Sequence, residues 1–167
     1  MRVLKSHRDE IFKEWVISYW IKYEKYPRSV TFDYVSLDKM QRGDLTPKSQ
    51  AWLREHKKEN DKLKEEVNKS ILKYGMRSPL ILVSIYNPHW ASDRKFFWES
   101  KPFIVQTGNN RYQFAQANKY THISSIVLGK TVRPEVFNYL QSELKLSDKQ
   151  IDNQRIYEYF QRENERF

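Results

Sequence analysis

The run Pro79-Leu80-Ile81-Leu82-Val83-Ser84-Ile85 constrains this chain more than any other segment. It is almost continuously apolar, short, and bounded by turn signals. Such a run reads as a β-strand covered on both faces rather than one with a wet side. A strand of that kind needs layers on either side of its sheet. The expected fold class is therefore α/β (α+β), a small mixed sheet with added helices.

Other segments supply the rest of that sheet. Val30-Thr31-Phe32-Asp33-Tyr34-Val35 is rich in β-branched and aromatic residues and reads as a strand, with Leu37 and Met40 in the turn after it. Phe103-Ile104-Val105-Gln106 and Ile123 to Leu128 read as further buried strands. Helical spacing marks residues 1–26, where Ile11, Trp15, Tyr19 and Tyr23 recur, Ser6 can cap, and Asp9 and Glu10 suit the positive helix start. Tyr26-Pro27 breaks that helix. Thr46 is placed as an N-cap with Pro47 as the first helical residue, and one charged helical tract runs on to Tyr74, where Gly75 ends it. Two more helices are expected over 134–167. The domain organisation expected is a helical arm over 1–29, a central domain over 30–130 and a helical extension over 131–167.

Composition decides several function classes. Hydrophobic residues make up only 39% of the 167, but 15% are aromatic, and large rings bury enough area for a compact core. There is no cysteine, which removes disulfides, thiol nucleophiles and thiolate metal sites. His7, His56, His89 and His122 have no ligand-like spacing, so no resident metal is expected. The longest uncharged stretch near the start, Trp15 to Ile21, is too short to span a bilayer, and no signal core is visible; a soluble protein of the cytoplasm is expected. Lys and Arg number 30 against 21 Asp and Glu, a net charge of +9 that favours a polyanionic partner.

One segment suggests chemistry. Between the Phe103–Gln106 strand and the next helix stands Thr107-Gly108-Asn109-Asn110-Arg111. A glycine in a strand-to-helix turn lets backbone N–H groups approach an anion, the helix start adds partial positive charge, and Arg111 offers a planar fork for phosphate oxygens. Isolated, such a turn is an ordinary connector.

Its surroundings make it more specific. Val35-Ser36-Leu37-Asp38-Lys39-Met40-Gln41-Arg42, then Glu66 through Val83, then Gly108-Asn109-Asn110-Arg111-Tyr112-Gln113-Phe114-Ala115 and Tyr120 through Val127 follow one another in order. This series resembles the ParB/sulfiredoxin-like superfamily: an opening strand with a Gln-Pro-Arg-type turn, a helix with Ser-Ile, Gly and Pro before a strand, and a Gly-x-x-Arg helix. The resemblance covers roughly residues 30–129. It implies a pocket in which Thr107, Gly108, Asn109, Asn110 and Arg111 hold phosphates. Met76, Arg77, Ser78 and Pro79 would flank the base or sugar, with Gln41 and Arg42 adding a phosphate contact. The implied ligand is a nucleotide of the ATP or CTP class, with Mg2+ accompanying it. A phage or plasmid member, working in the host cytoplasm, fits such single-domain chains.

The chain also departs from that pattern. Sulfiredoxins need a cysteine in the turn and there is none. Thr107 stands where catalytic members often carry Asp, and Asn109 where partition proteins carry Glu. Glu66 and Asp38 are the nearest matching acids, weak candidates for a catalytic base. Whether a nucleotide is turned over, by an NTPase, a phosphotransferase or a ParB-like nuclease, is left open. Two alternatives stand beside nucleotide binding. Arg94, Lys95 and Trp98, within the aromatic segment Asn87 to Lys101, suit stacking on DNA or other single strands. The terminal helices suit pairing with a second copy or another protein.

Overall fold

The protein is described by a computed structural model covering residues 1–22, 29–88 and 101–145. Its elements in order are β1 (Val3–Leu4), α1 (Asp9–Lys22), β2 (Val30–Ser36), β3 (Met40–Arg42), α2 (Pro47–Glu55), α3 (Lys57–Tyr74), β4 (Leu80–Ser84), β5 (Phe103–Thr107), α4 (Asn109–Ala117), β6 (His122–Leu128) and α5 (Pro134–Lys145). Met1–Val132 form one compact unit, and α5 belongs to a second that begins at Arg133. No described helix is long and apolar enough to cross a membrane.

The strands make one mixed six-stranded sheet in the order β1-β6-β4-β5-β3, with β2 also paired to β6. β4 lies between β6, to which it is parallel, and β5, to which it is antiparallel. Leu80, Ile81, Leu82 and Val83 are all fully buried, as the uninterrupted apolar run requires. On one face α3 and α4 pack together. Their Ile71, Tyr112, Phe114 and Ala115 join Leu80, Leu82, Val105 and Ile123 in the main core. α1 packs on β2 and buries Phe12 and Val16.

Local chemistry sets several boundaries. Thr46 caps α2 by accepting the Ser49 N–H at 3.2 Å, and Pro47 opens the helix. Gly75 ends α3 at φ +83°, a conformation that side chains resist.

Several expectations need correction. The first helix does not fill residues 1–26: Val3–Leu4 forms a strand parallel to β6, and the helix begins at Asp9. Met40 lies in β3 rather than a turn, because β5 offers it a parallel partner. The charged tract is two helices, broken at His56, whose φ of −111° and ψ of 27° leave the helical region. α4 starts at Asn109, ahead of Arg111. The second C-terminal helix, the Tyr26-Pro27 break and the aromatic segment with Arg94, Lys95 and Trp98 lie outside the described residues.

Candidate functional site: the start of α4

Three loops meet at one end of the sheet. β3 and β5 are parallel, so Arg42 and Thr107 finish at the same end. β4 runs the other way beside β5, with Ile81 opposite Thr107, which brings Arg77-Ser78-Pro79 to that end as well. The family resemblance implies one pocket for these residues, and the topology brings their backbones to one end of the sheet.

Gly108 makes the turn. Its φ is +108°, and a side chain there would meet Leu80 Cδ2 and lie 2.8 Å from Arg111 Nη2. The backbone requires glycine and the space allows nothing larger. As the N-cap of α4 it supplies no side-chain acceptor, so the helix start lacks the cap that Thr46 gives α2. The first N–H groups of a helix have no intrahelical acceptor and carry the positive end of the helix dipole.

Arg111 folds back over this turn. Its Nη1 donates to the Ser78 carbonyl at 2.5 Å and to the Pro79 carbonyl at 2.9 Å. The residue is partly buried, and its guanidinium lies against the carbonyls of two buried residues. No carboxylate pairs with it among the described residues. Burial pushes this guanidinium down to about 10, and the nearby charge of Arg77 adds to the effect. Ser78 is buried, and its Oγ has no hydrogen-bond partner among the described residues.

Arg42 is in the opposite electrostatic state. Its Nε and Nη2 each lie 2.8 Å from a carboxylate oxygen of Asp44, a two-pronged pair that raises the Arg42 pKa. The Gln50 amide in turn donates to the Asp44 carbonyl at 2.6 Å. Arg42 therefore already has its anion. Asn109 is also committed: its side-chain oxygen accepts the Gly43 N–H at 3.0 Å and ties the β3–α2 loop to the start of α4. Gln41 pairs with Ile104 across β3 and β5, one residue short of the loop, and Asn110 sits in the first turn of α4, partly buried.

The two carboxylates named as catalytic candidates are both exposed. Asp38 is exposed ahead of β3, at the opposite end of that strand from Arg42. Glu66 is exposed in the middle of α3. Among the described residues no three His, Cys, Asp or Glu side chains are grouped so as to hold a metal ion.

Sequence reasoning missed two features. Asp44 gave no motif signal, although an acid two residues after an arginine in a loop is within reach of a paired contact. Asp9 was read only as a charge suited to a helix start, yet it is buried and bonded to residues from three elements. Its carboxylate accepts the Ser6 N–H at 3.1 Å, the Ser6 hydroxyl, the Ser124 hydroxyl at 2.8 Å and the Tyr34 hydroxyl at 3.4 Å. The spacing Ser6-x-x-Asp9 announces the local half of that network. Ser124 is far away in sequence and could not be foreseen.

No family model matches the chain, and no curated protein matches it. Among solved structures, a sulfiredoxin from Arabidopsis thaliana is similar at 15% identity and a TM-score of 0.37, over 65% of this chain and 94% of that one.

Proposed function

We propose that this chain is a nucleotide-binding domain of the ParB/sulfiredoxin-like type, which holds phosphate oxygens at the turn Gly108–Arg111. The observation that carries the reading is the Arg111 guanidinium: partly buried, paired with no carboxylate among the described residues, and folded against a helix start whose N-cap residue gives no side-chain bond. A cation in that state is costly to bury, and an arriving anion would relieve the cost. Nη2, beside Gly108, and the N–H groups opening α4 would donate together, the geometry that suits a phosphate.

Arg42 and Asn109 have supporting roles in this reading. Asn109 holds the β3–α2 loop in place, and Arg42 stays with Asp44. The local donors do not form a resident metal site. Magnesium would enter with the nucleotide, keeping phosphate and water oxygens as most of its ligands. Binding is the function proposed. Turnover would need a carboxylate at the turn, where Thr107 and Asn109 stand.

The test is a thermal-shift panel of ATP, ADP, CTP and GTP, each with and without magnesium, on the wild type and Arg111→Ala. A nucleotide at a hundredfold over its dissociation constant adds about 2.7 kcal/mol, roughly 5–10 °C for a chain of this size. A shift specific to one nucleotide and lost in Arg111→Ala supports the reading. The absence of any shift in the wild type overturns it.

A further inference from the structure

We infer that the N-terminal segment is the support on which the Arg111 site is built, with His7 as its positioning residue. The functional consequence rests on the anion-site reading above; the structural coupling does not.

The argument begins with the two edges of β6. β2 takes one edge along its full length, from His122 to Leu128. The other is shared: β1 pairs with His122 and Ile123, and β4 pairs with Ser125 through Leu128. The N-terminal segment therefore enters the sheet beside the point where β4 begins. Just beyond β1, Ser6 bridges Met76, and the His7 N–H donates to the Met76 carbonyl at 3.1 Å.

His7 then closes over the end of α3. Its Nε2 lies 2.5 Å from the Tyr74 carbonyl. A carbonyl can only accept, so Nε2 carries the proton in this contact. The last carbonyls of a helix lack intrahelical donors, and the imidazole supplies one. Its ring also fills the space above Gly75, where a Cβ would fall 2.8 Å from Nε2. Tyr74, Gly75 and Met76 are thus each touched by the N-terminal segment.

The segment is itself anchored. The Ser6 N–H reaches Asp9 and the Ser124 hydroxyl, both at 3.1 Å. At the other end Arg2 donates from its backbone to the Thr121 hydroxyl and from its side chain to the Asn118 carbonyl, both at 2.9 Å, with its guanidinium 4.2 Å from the centre of the Tyr120 ring.

From Met76 to the carbonyls that hold Arg111 is a short step. Only Arg77 separates Met76 from Ser78 and Pro79, and proline fixes its own φ, so little slack separates the segment from the guanidinium. Loosening His7 moves the floor of the anion site. Linkage makes the effect reciprocal: an anion bound at Arg111 strengthens docking of the N-terminal segment.

The experiment compares His7→Leu, which keeps bulk without a donor, His7→Gln, which keeps a donor, and Glu10→Ala on the exposed side of α1. Two readouts are taken on the full chain: hydrogen exchange of the Arg111 guanidinium by NMR without ligand, and affinity for inorganic pyrophosphate. His7→Leu is expected to speed Arg111 exchange and weaken pyrophosphate binding about fivefold to tenfold, with His7→Gln restoring much of both and Glu10→Ala changing neither. Should His7→Leu fail to fold, Arg2→Ala loosens the same segment from its exposed end and is expected to act in the same direction. Unchanged Arg111 exchange in the folded variants overturns the coupling, even where the wild type binds pyrophosphate. Faster exchange in a protein that never binds pyrophosphate would retain the coupling and overturn the anion site instead.

Discussion

Asp9 and Arg111 are both charged side chains withdrawn from water, and their surroundings treat them in opposite ways. Around Asp9, the Ser6 backbone and the hydroxyls of Ser6, Tyr34 and Ser124 all converge on one carboxylate. Arg111 has two carbonyls, both engaged by the same nitrogen, and among the described residues no carboxylate. Arg42, at the same end of the sheet, does have its carboxylate, in Asp44. A buried charge with its hydrogen bonds complete serves to specify one fold, whereas one left incomplete costs stability and is retained where a ligand can complete it. On the proposed reading, that contrast gives Asp9 a role in folding and Arg111 one in binding.

The contrast is broken or sharpened most strongly at Asp9. Asp9→Ala removes the shared acceptor and strands donors from the N-terminal segment, β2 and β6. It should destabilise the protein by about 3 kcal/mol in denaturant unfolding. A loss no larger than that of Arg111→Ala would dissolve the distinction. Arg111→Ala should have its main effect elsewhere, weakening nucleotide or pyrophosphate binding by about 10- to 100-fold in titration calorimetry. Gly108→Ala forces a side chain into φ +108° and against Leu80 and Arg111, so it should cost about 1–2 kcal/mol and weaken the same ligands. Normal affinity in a folded Gly108→Ala protein would move the ligand away from this turn.

The smallest effect is in pH. Burial holds the free Arg111 guanidinium down to about 10, below its ordinary range. The penalty of the buried cation is therefore present below about pH 10 and lifts as pH rises from there towards the ordinary guanidinium range. Pyrophosphate affinity should stay level on the mildly alkaline side and decline as pH passes about 10, because the unliganded site then loses its charge. A profile that is the same in wild type and Arg111→Ala would show that another group governs it.

What could be read from the chain followed the range of the interactions involved. The β4 run, the Thr46-Pro47 helix start and the Gly75 stop are local statements, and each stands as expected because propensity and capping act within a few residues. The glycine before α4 was also legible, since a positive φ is a demand on one residue. The mixed α/β class followed from the order of these signals.

Pairing was not legible. That Met40 forms a strand depends on the partner that β5 presents, and that Val3–Leu4 forms one depends on the free edge β6 keeps below β4. The sequence alone determined where the chain turns, which runs must be buried, and that a glycine followed by an arginine opens α4. Only the tertiary structure decided that Asp44 would neutralise Arg42 and not Arg111, that Ser124 would complete Asp9, and that His7 would close over the end of α3. The physical reason is that a charge's state depends on which groups lie within a few ångströms of it, and those neighbours come from strands and loops brought together only by folding.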